Sequence, residues 1–344
     1  MIWLTLRQFR VQAAVVFGGL AALGAVLAIT GPGISDGYHS GLAACGTREN
    51  CSQFTARFFN DHRSYFGALA VIVMSVPGII GVFWGAPLIT RELESGTHRL
   101  VWNQSITRTR WLAVKLGVIG LAAMAAAGLA VLAATWWSGP LDEAAHDRFP
   151  RITPLMFDAR GITPIGYAAF AFALGVTVGV LVRRTLPAMA ITLVVFVAVQ
   201  IAMPTWIRPH LIPPETGTVP ITSENHGDIL LNGDAFSVQV RGVPGAWTLS
   251  AETVDASGRT VGDMPTSLAA GPCAPPPPSA DGGPPMGPAQ ACFDAIAELG
   301  YRGKVVYQPG DHFWPLQWAE TGLFTALSLG LAGFCFFWTR RRLS

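Results

Sequence analysis

Six long apolar runs divide the chain: Val11 to Ile29, Phe66 to Ile89, Trp111 to Trp137, Gly161 to Val182, Leu186 to Trp206 and Leu316 to Trp338. Each is close to or above the ~20 residues a helix needs to cross ~30 Å of hydrocarbon. A lipid core offers no water to backbone N–H and C=O groups, so such a run spans as a helix. The pattern predicts an α-helical integral membrane protein. Five transmembrane helices lie within residues 1–206 (about 11–29, 66–89, 111–137, 161–182 and 186–206), and a sixth, with a tail, within 316–344. Residues 207–315 follow another rule. Phe236, Val238 and Val240 alternate with polar neighbours, as in a half-buried strand. Trp247 to Val254, the turn Asp255-Ala256-Ser257-Gly258 and Arg259 to Val261 read as a β-hairpin. Cys292 to Leu299 reads as a short helix stopped at Gly300, and Lys304 to Tyr307 as a strand. A proline-rich tract, Pro275 to Pro285, separates the two halves of this small mixed α/β domain.

Charge orients the runs. Arg7, Arg10, Arg91, Arg99, Arg108, Arg110, Lys115, Arg183, Arg184 and Arg340 to Arg342 are 12 of the 23 basic residues. They fall on one set of connections, with only Glu92 and Glu94 beside them. That side carries a net +10 and the other −8, hidden in a total of +2. Basic residues mark the cytoplasmic face. Both termini are therefore expected in the cytoplasm and residues 207–315 outside a plasma membrane. The balance speaks for a lipid bilayer partner and gives no reason to expect nucleic acid. The first run is too long, and followed by too many others, for a cleaved signal; it reads as a retained anchor. Residues 1–10 read either as a short helix along the inner interface or as a plain basic flank. Residues 30–65 and 138–160 are expected as polar outer loops. Trp3, Trp111, Trp136, Trp137, Trp206, Trp314, Trp318 and Trp338 sit near run ends and read as an aromatic belt.

Four of five cysteines, Cys45, Cys51, Cys273 and Cys292, fall on the outer side, where an oxidising exterior permits disulfides. Cys45–Cys51 and Cys273–Cys292 are the simplest pairs among three connectivities, between which the sequence does not choose. Cys335 is expected to be an inert apolar filler.

Catalytic chemistry is not encoded. Gly303-Lys304 is followed by Val305, so no phosphate-cradling loop is formed. Seven scattered histidines give no metal-ligand spacing. Asp311, His312 and Glu320 are a weak polar group, read as solvated loop. Charge inside the runs is scarce: Lys115 and Glu320 lie near span ends, and Gln200 is the main deeper polar residue. Ion- or proton-coupled transport is disfavoured on that ground, which leaves an external ATPase as the energy source.

The substantial inner connection is residues 90–110. Arg91 to Ser95 extends the second span, Gly96 stops it, and Thr97 is placed to cap a short helix from His98 to Gln104. A charged helix with Leu100 and Val101 on one face suits docking to a soluble partner. Here the sequence resembles the ABC-2 type exporter permeases, especially their actinobacterial branch. The resemblance rests on Glu92-x-Glu94-x-Gly96-Thr97, on Arg99-Leu100-Val101-Trp102-Asn103-Gln104-Ser105 and on Arg108-x-Arg110-Trp111-x-x-x-Lys115. It extends to Tyr307-Gln308-Pro309, Phe313 to Trp318, Glu320-Thr321 and Arg340 to Leu343. It implies a permease subunit with no catalytic residues, paired in a likeness of itself as a homodimer. A separate ABC ATP-binding subunit would carry ATP and Mg, leaving no cofactor in this chain. Residues 90–110 would then be the coupling loop, with Arg91, Glu92, Glu94, Gly96, Thr97, Arg99 and Arg108 against the ATPase. A hydrophobic or amphipathic solute would be exported. The alternative is a membrane-anchored sensor or scaffold that uses residues 207–315.

Overall fold

The computed structural model describes residues 2–46, 48–96, 107–145, 150–223, 226–232, 235–240, 242–262, 264, 268, 271–274 and 290–342. They form two compact units, residues 1–211 with 313–344, and residues 212–312. The fifth apolar run carries its helix on to Leu211, so the second unit begins five residues later than the sequence placed it.

Among the described residues, six helical segments are long and apolar enough to cross a bilayer. Helix α1 is Ile2–Ala44 and α2 is Arg48–Ile80. A wide π turn, Gly81–Gly85, joins α2 to α3, Ala86–Glu94. At 1.5 Å per residue, the 43 residues of α1 extend about 65 Å, twice the hydrocarbon thickness. Residues 30–65 are therefore not the expected polar loop; α1 and α2 run on as a helical hairpin. Aromatic packing holds it beyond the apolar runs. The Tyr38 and Phe58 rings lie 5.4 Å apart, Phe54 and Phe58 5.8 Å, and Phe58 and His62 4.7 Å. A Cys45–Cys51 disulfide closes the tip, with 5.3 Å between the Cα atoms. Residues 2–10 likewise form no separate helix. They begin α1, and Phe9 is buried edge-on against Trp84 at 4.5 Å.

Helix α4, Arg108–Ala144, starts at Thr107, whose hydroxyl accepts the Arg110 N–H at 3.3 Å. The short α5, Pro154–Asp158, leads into α6, Thr163–Val182. Only Arg183 and Arg184 separate α6 from α7, Thr185–Ala202; Arg183 turns the chain in the left-handed conformation, φ 56°. A second π turn, Met203–Ile207, leads to α8, Arg208–Leu211. The last span is α10, Phe313–Arg342, following α9, Gln290–Glu298, of the other unit.

Helix α6 is the centre of the bundle, with 16 of its 20 residues buried. Its closest neighbour is the π turn. A Cβ on Gly81 would lie 2.7 Å from the Ala171 carbonyl oxygen, one on Gly85 2.6 Å from that of Phe172, and one on Gly179 2.8 Å from that of Ala86. A Cβ on Gly175 would overlap the Gly81 carbonyl. Two Gly-x-x-x-Gly faces therefore meet at backbone contact, the close approach that small residues permit in membranes.

The tryptophan belt is incomplete. Trp3, Trp136, Trp206, Trp314 and Trp318 are exposed, but Trp111 and Trp137 are buried. The Trp137 indole donates to the Thr30 hydroxyl at 2.9 Å.

The second unit has an antiparallel sheet in which β5 (Arg302–Gln308) lies between β1 (Glu215–Pro220) and β4 (Trp247–Val254). β2 (His226–Asn232) pairs with β3 (Ala235–Val240). After β4, Asp255 to Gly258 forms the turn expected, but the returning arm makes one bridge, Val254 to Thr260, rather than a full strand. Helix α9 supplies Cys292, Phe293 and Ile296 to a core with Val238, Val240 and Val305. Cys292 is disulfide-bonded to Cys273.

Candidate functional site

The connection between α3 and α4 is held at both ends. Arg91 is exposed. Glu92, expected on the surface, is 9 % exposed because its carboxylate accepts the Lys115 ammonium at 2.5 Å. Lys115 is more deeply buried. It also donates to the Leu88 carbonyl at 3.4 Å, and its ammonium lies 4.8 Å from the Trp111 ring centre. Lys115 therefore does not reach for the interface; it ties α3 to α4. A pair so buried is costly to break, because removing one partner strands the other charge.

Glu94 is exposed, and both of its oxygens are engaged: Oε1 accepts the Thr185 N–H at 2.8 Å and Oε2 the Thr185 hydroxyl at 2.7 Å. Thr185 opens α7, so a carboxylate stands at a helix N-terminus, where the helix dipole favours it. The Thr185 hydroxyl also lies 2.9 Å from that of Thr90. Gly96, at φ +70°, ends the helical segment in a conformation that costs other residues roughly 1–2 kcal/mol. Arg108 begins α4. Thr97 and Arg99, with the short helix expected from His98 to Gln104, lie outside the described residues. Of the seven residues expected at the coupling loop, five are thus placed at the facing ends of α3 and α4.

A second polar centre lies at the other end of the bundle, and sequence reasoning missed it. Arg208 is fully buried. Its guanidinium pairs with the Asp158 carboxylate and, at 2.8 and 3.0 Å, with both oxygens of Glu320. The Tyr167 hydroxyl donates to Glu320 at 2.7 Å, and the Phe157 ring centre lies 4.1 Å below the guanidinium. Glu320 therefore does not snorkel, and its partners are Arg208 and Tyr167 rather than the Asp311 and His312 considered from sequence. Burial pushes the Asp158 carboxyl up to about 7, the Arg208 charge pulling it down and Glu320 adding to the rise.

One turn before Glu320, Gln317 fastens the start of α6. Its carbonyl oxygen accepts the Ile162 and Thr163 N–H groups at 2.9 and 2.8 Å and the Thr163 hydroxyl at 2.6 Å. Its amide donates to the carbonyls of Phe157 and Arg160 at 3.1 and 3.2 Å. Every hydrogen-bonding group of this buried amide has a partner. The cluster joins α5, α6, α8 and α10. The readable signal was Gln317 and Glu320 three residues apart on one helix face inside an apolar run, which demanded a buried donor.

Among the described residues, no group of three or more His, Cys, Asp or Glu is gathered to hold a metal. The remaining cysteine, Cys335, is buried 3.2 Å from the Thr177 hydroxyl. No curated protein and no solved structure matches the chain. The family model described as "ABC-2 membrane transporter related" matches residues 17–208, more than half of the chain. That span covers most of the first candidate membrane helix, the next three and nearly all of the fifth, with the charged α3–α4 connection and Asp158 and Arg208 of the buried cluster, and the chain belongs to the ABC-2 membrane transporter related family.

Proposed function

We propose that this permease is the membrane subunit of an ATP-driven exporter, powered by a separate ABC ATP-binding subunit that docks on residues 90–110. The observation that carries the reading is the family match across 17–208, which includes that connection. In this reading ATP and Mg stay on the partner, two permease chains form the path as a homodimer, and the solute is hydrophobic or amphipathic. Both termini and the docking loop face the cytoplasm, supported by the concentration of basic residues on that side; residues 212–312 stand outside.

In this reading the path of transmission runs through two polar contacts. Glu92–Lys115 makes α3 and α4 move together, and Glu94–Thr185 adds α7. A push on the loop reaches three spans without touching solute, as a coupling free energy between separate sites requires.

Co-expression of the chain with the products of its neighbouring genes and a separate ATP-binding cassette protein tests this. That protein is expected to co-purify in stoichiometric amount and to drive ATP-dependent solute flux in vesicles. Arg91→Glu, an exposed reversal of charge, is expected to reduce its recovery about tenfold while the permease stays folded. A folded permease that retains no ATPase, or an ATPase whose binding yields no flux, sinks the exporter reading; the second outcome favours a sensor.

A further inference from the structure

The α1–α2 hairpin encloses, against α4, a cavity of about 420 Å³. That volume falls within the range of small-ligand sites. Its two ends differ. Leu23, Leu69 and Ile72 line one end and lie inside the first two apolar runs. Thr30, His62, Tyr65 and Trp137 line the other, at the edge of those runs toward the disulfide-closed tip. From Leu23 to Ile34 the wall extends about 16 Å along α1, by helical rise. The cavity thus crosses from hydrocarbon depth to the interface. Val26, Ile72 and Tyr65 at its mouth are exposed, so it opens sideways from the bundle.

The hydrogen-bonding state of the polar end selects a head group. The Trp137 N–H and the Thr30 O–H are already engaged, with Thr30 Oγ1 and the Val26 carbonyl respectively. His62 Nδ1 lies 2.9 Å from the Phe58 carbonyl, which can only accept, so Nδ1 donates there and Nε2 is the ring nitrogen left to meet a head group. Tyr65 is exposed and offers its hydroxyl as a donor. No lysine, arginine, aspartate or glutamate lines the cavity. A head that gives one hydrogen and accepts another, without charge, matches this end.

We propose that the cavity is a binding site for a single-chain, non-ionic amphiphile with a hydroxylated head, entered from the bilayer. The chain packs along Leu23, Leu69 and Ile72. The head gives a hydroxyl hydrogen to His62 Nε2 and accepts one from Tyr65. Occupancy depends on the membrane placement of the hairpin and not on an ATPase. Failure here leaves the exporter reading standing, and loss of the ATPase leaves this site standing.

The test is photolabelling of the whole protein in lipid nanodiscs, using a monoacylglycerol with a diazirine in its chain, with a fatty acid of equal chain length for comparison. Labelled peptides are mapped by mass spectrometry. Label is expected to concentrate on residues 23–34 and 62–72, and to compete about tenfold better with unlabelled monoacylglycerol than with the fatty acid. Ala68→Trp, on an exposed wall position, is expected to abolish that label without unfolding the protein. Tyr65→Phe is expected to erase the preference for the glycerol head while retaining chain binding. Label spread evenly over exposed helix faces overturns the proposal, as does equal competition by the charged head. Exclusion of the probe, with Ala68→Cys cross-linking to a second copy of the chain, overturns it too.

Discussion

At the scale of single residues, the charges that matter are those removed from water. Lys115→Met leaves Glu92 buried alone, and thermal unfolding in detergent is expected to register a loss of about 3–5 kcal/mol. Adding Glu92→Gln should return most of it, since the second change removes the stranded charge. Asp158 behaves differently. Burial raises its folded carboxyl above the unfolded value, so in the pH interval between the two the folded state holds a proton that the unfolded state has lost. The contribution is full below the unfolded value, falls as pH rises toward 7, and is flat above. Asp158→Asn is expected to remove this slope, which unfolding curves between pH 4 and 7 would show. An unchanged slope would place the proton on another group. Arg208 and Asp158 could not be singled out from the sequence: each stands in a polar-looking boundary, and only folding brings residues 158, 208 and 320 together. Lys115 was visible, but its partner 23 residues away was not.

At the scale of elements, backbone contact decides the bundle. Gly175→Ala forces α6 away from the π turn and is expected to cost about 1–3 kcal/mol in the same unfolding assay. Gly330→Ala, with open space around the new methyl, is the comparison expected to be neutral or slightly stabilising. The existence of the helices was legible from hydropathy, and the helix Cys292 to Leu299 and the strand at Val238 from local pattern. The lengths of α1 and α2 were not. Polar residues at 30–65 read as loop, yet Tyr38, Phe54 and Phe58 pack across the hairpin and extend the helices past the apolar runs. That information is a cross-helix contact, which periodicity in one segment does not contain.

At the scale of the whole molecule, two units with separate cores predict separable behaviour. Removing the Cys273–Cys292 link by Cys273→Ser with Cys292→Ser opens a cross-link with a sequence separation of 19 residues. It is expected to destabilise residues 212–312 by about 2–5 kcal/mol. Hydrogen exchange should quicken in β4 and β5 while α6 keeps its protection. Equal loosening of both units would contradict the division.

The sequence alone determined that six segments are apolar enough to cross a membrane, which connections are basic, and which family its inner loop resembles. Each of these follows from local composition, because spanning a bilayer is a demand each segment meets for itself. Tertiary structure decided that α6 is central and α1 peripheral, that Glu92 is a buried clamp rather than an exposed contact, and that Arg208 anchors two carboxylates. Lipid is as apolar as a protein interior, so hydropathy cannot distinguish a helix facing lipid from one facing its neighbours. Only the small-residue contacts and buried ion pairs formed on packing make that distinction.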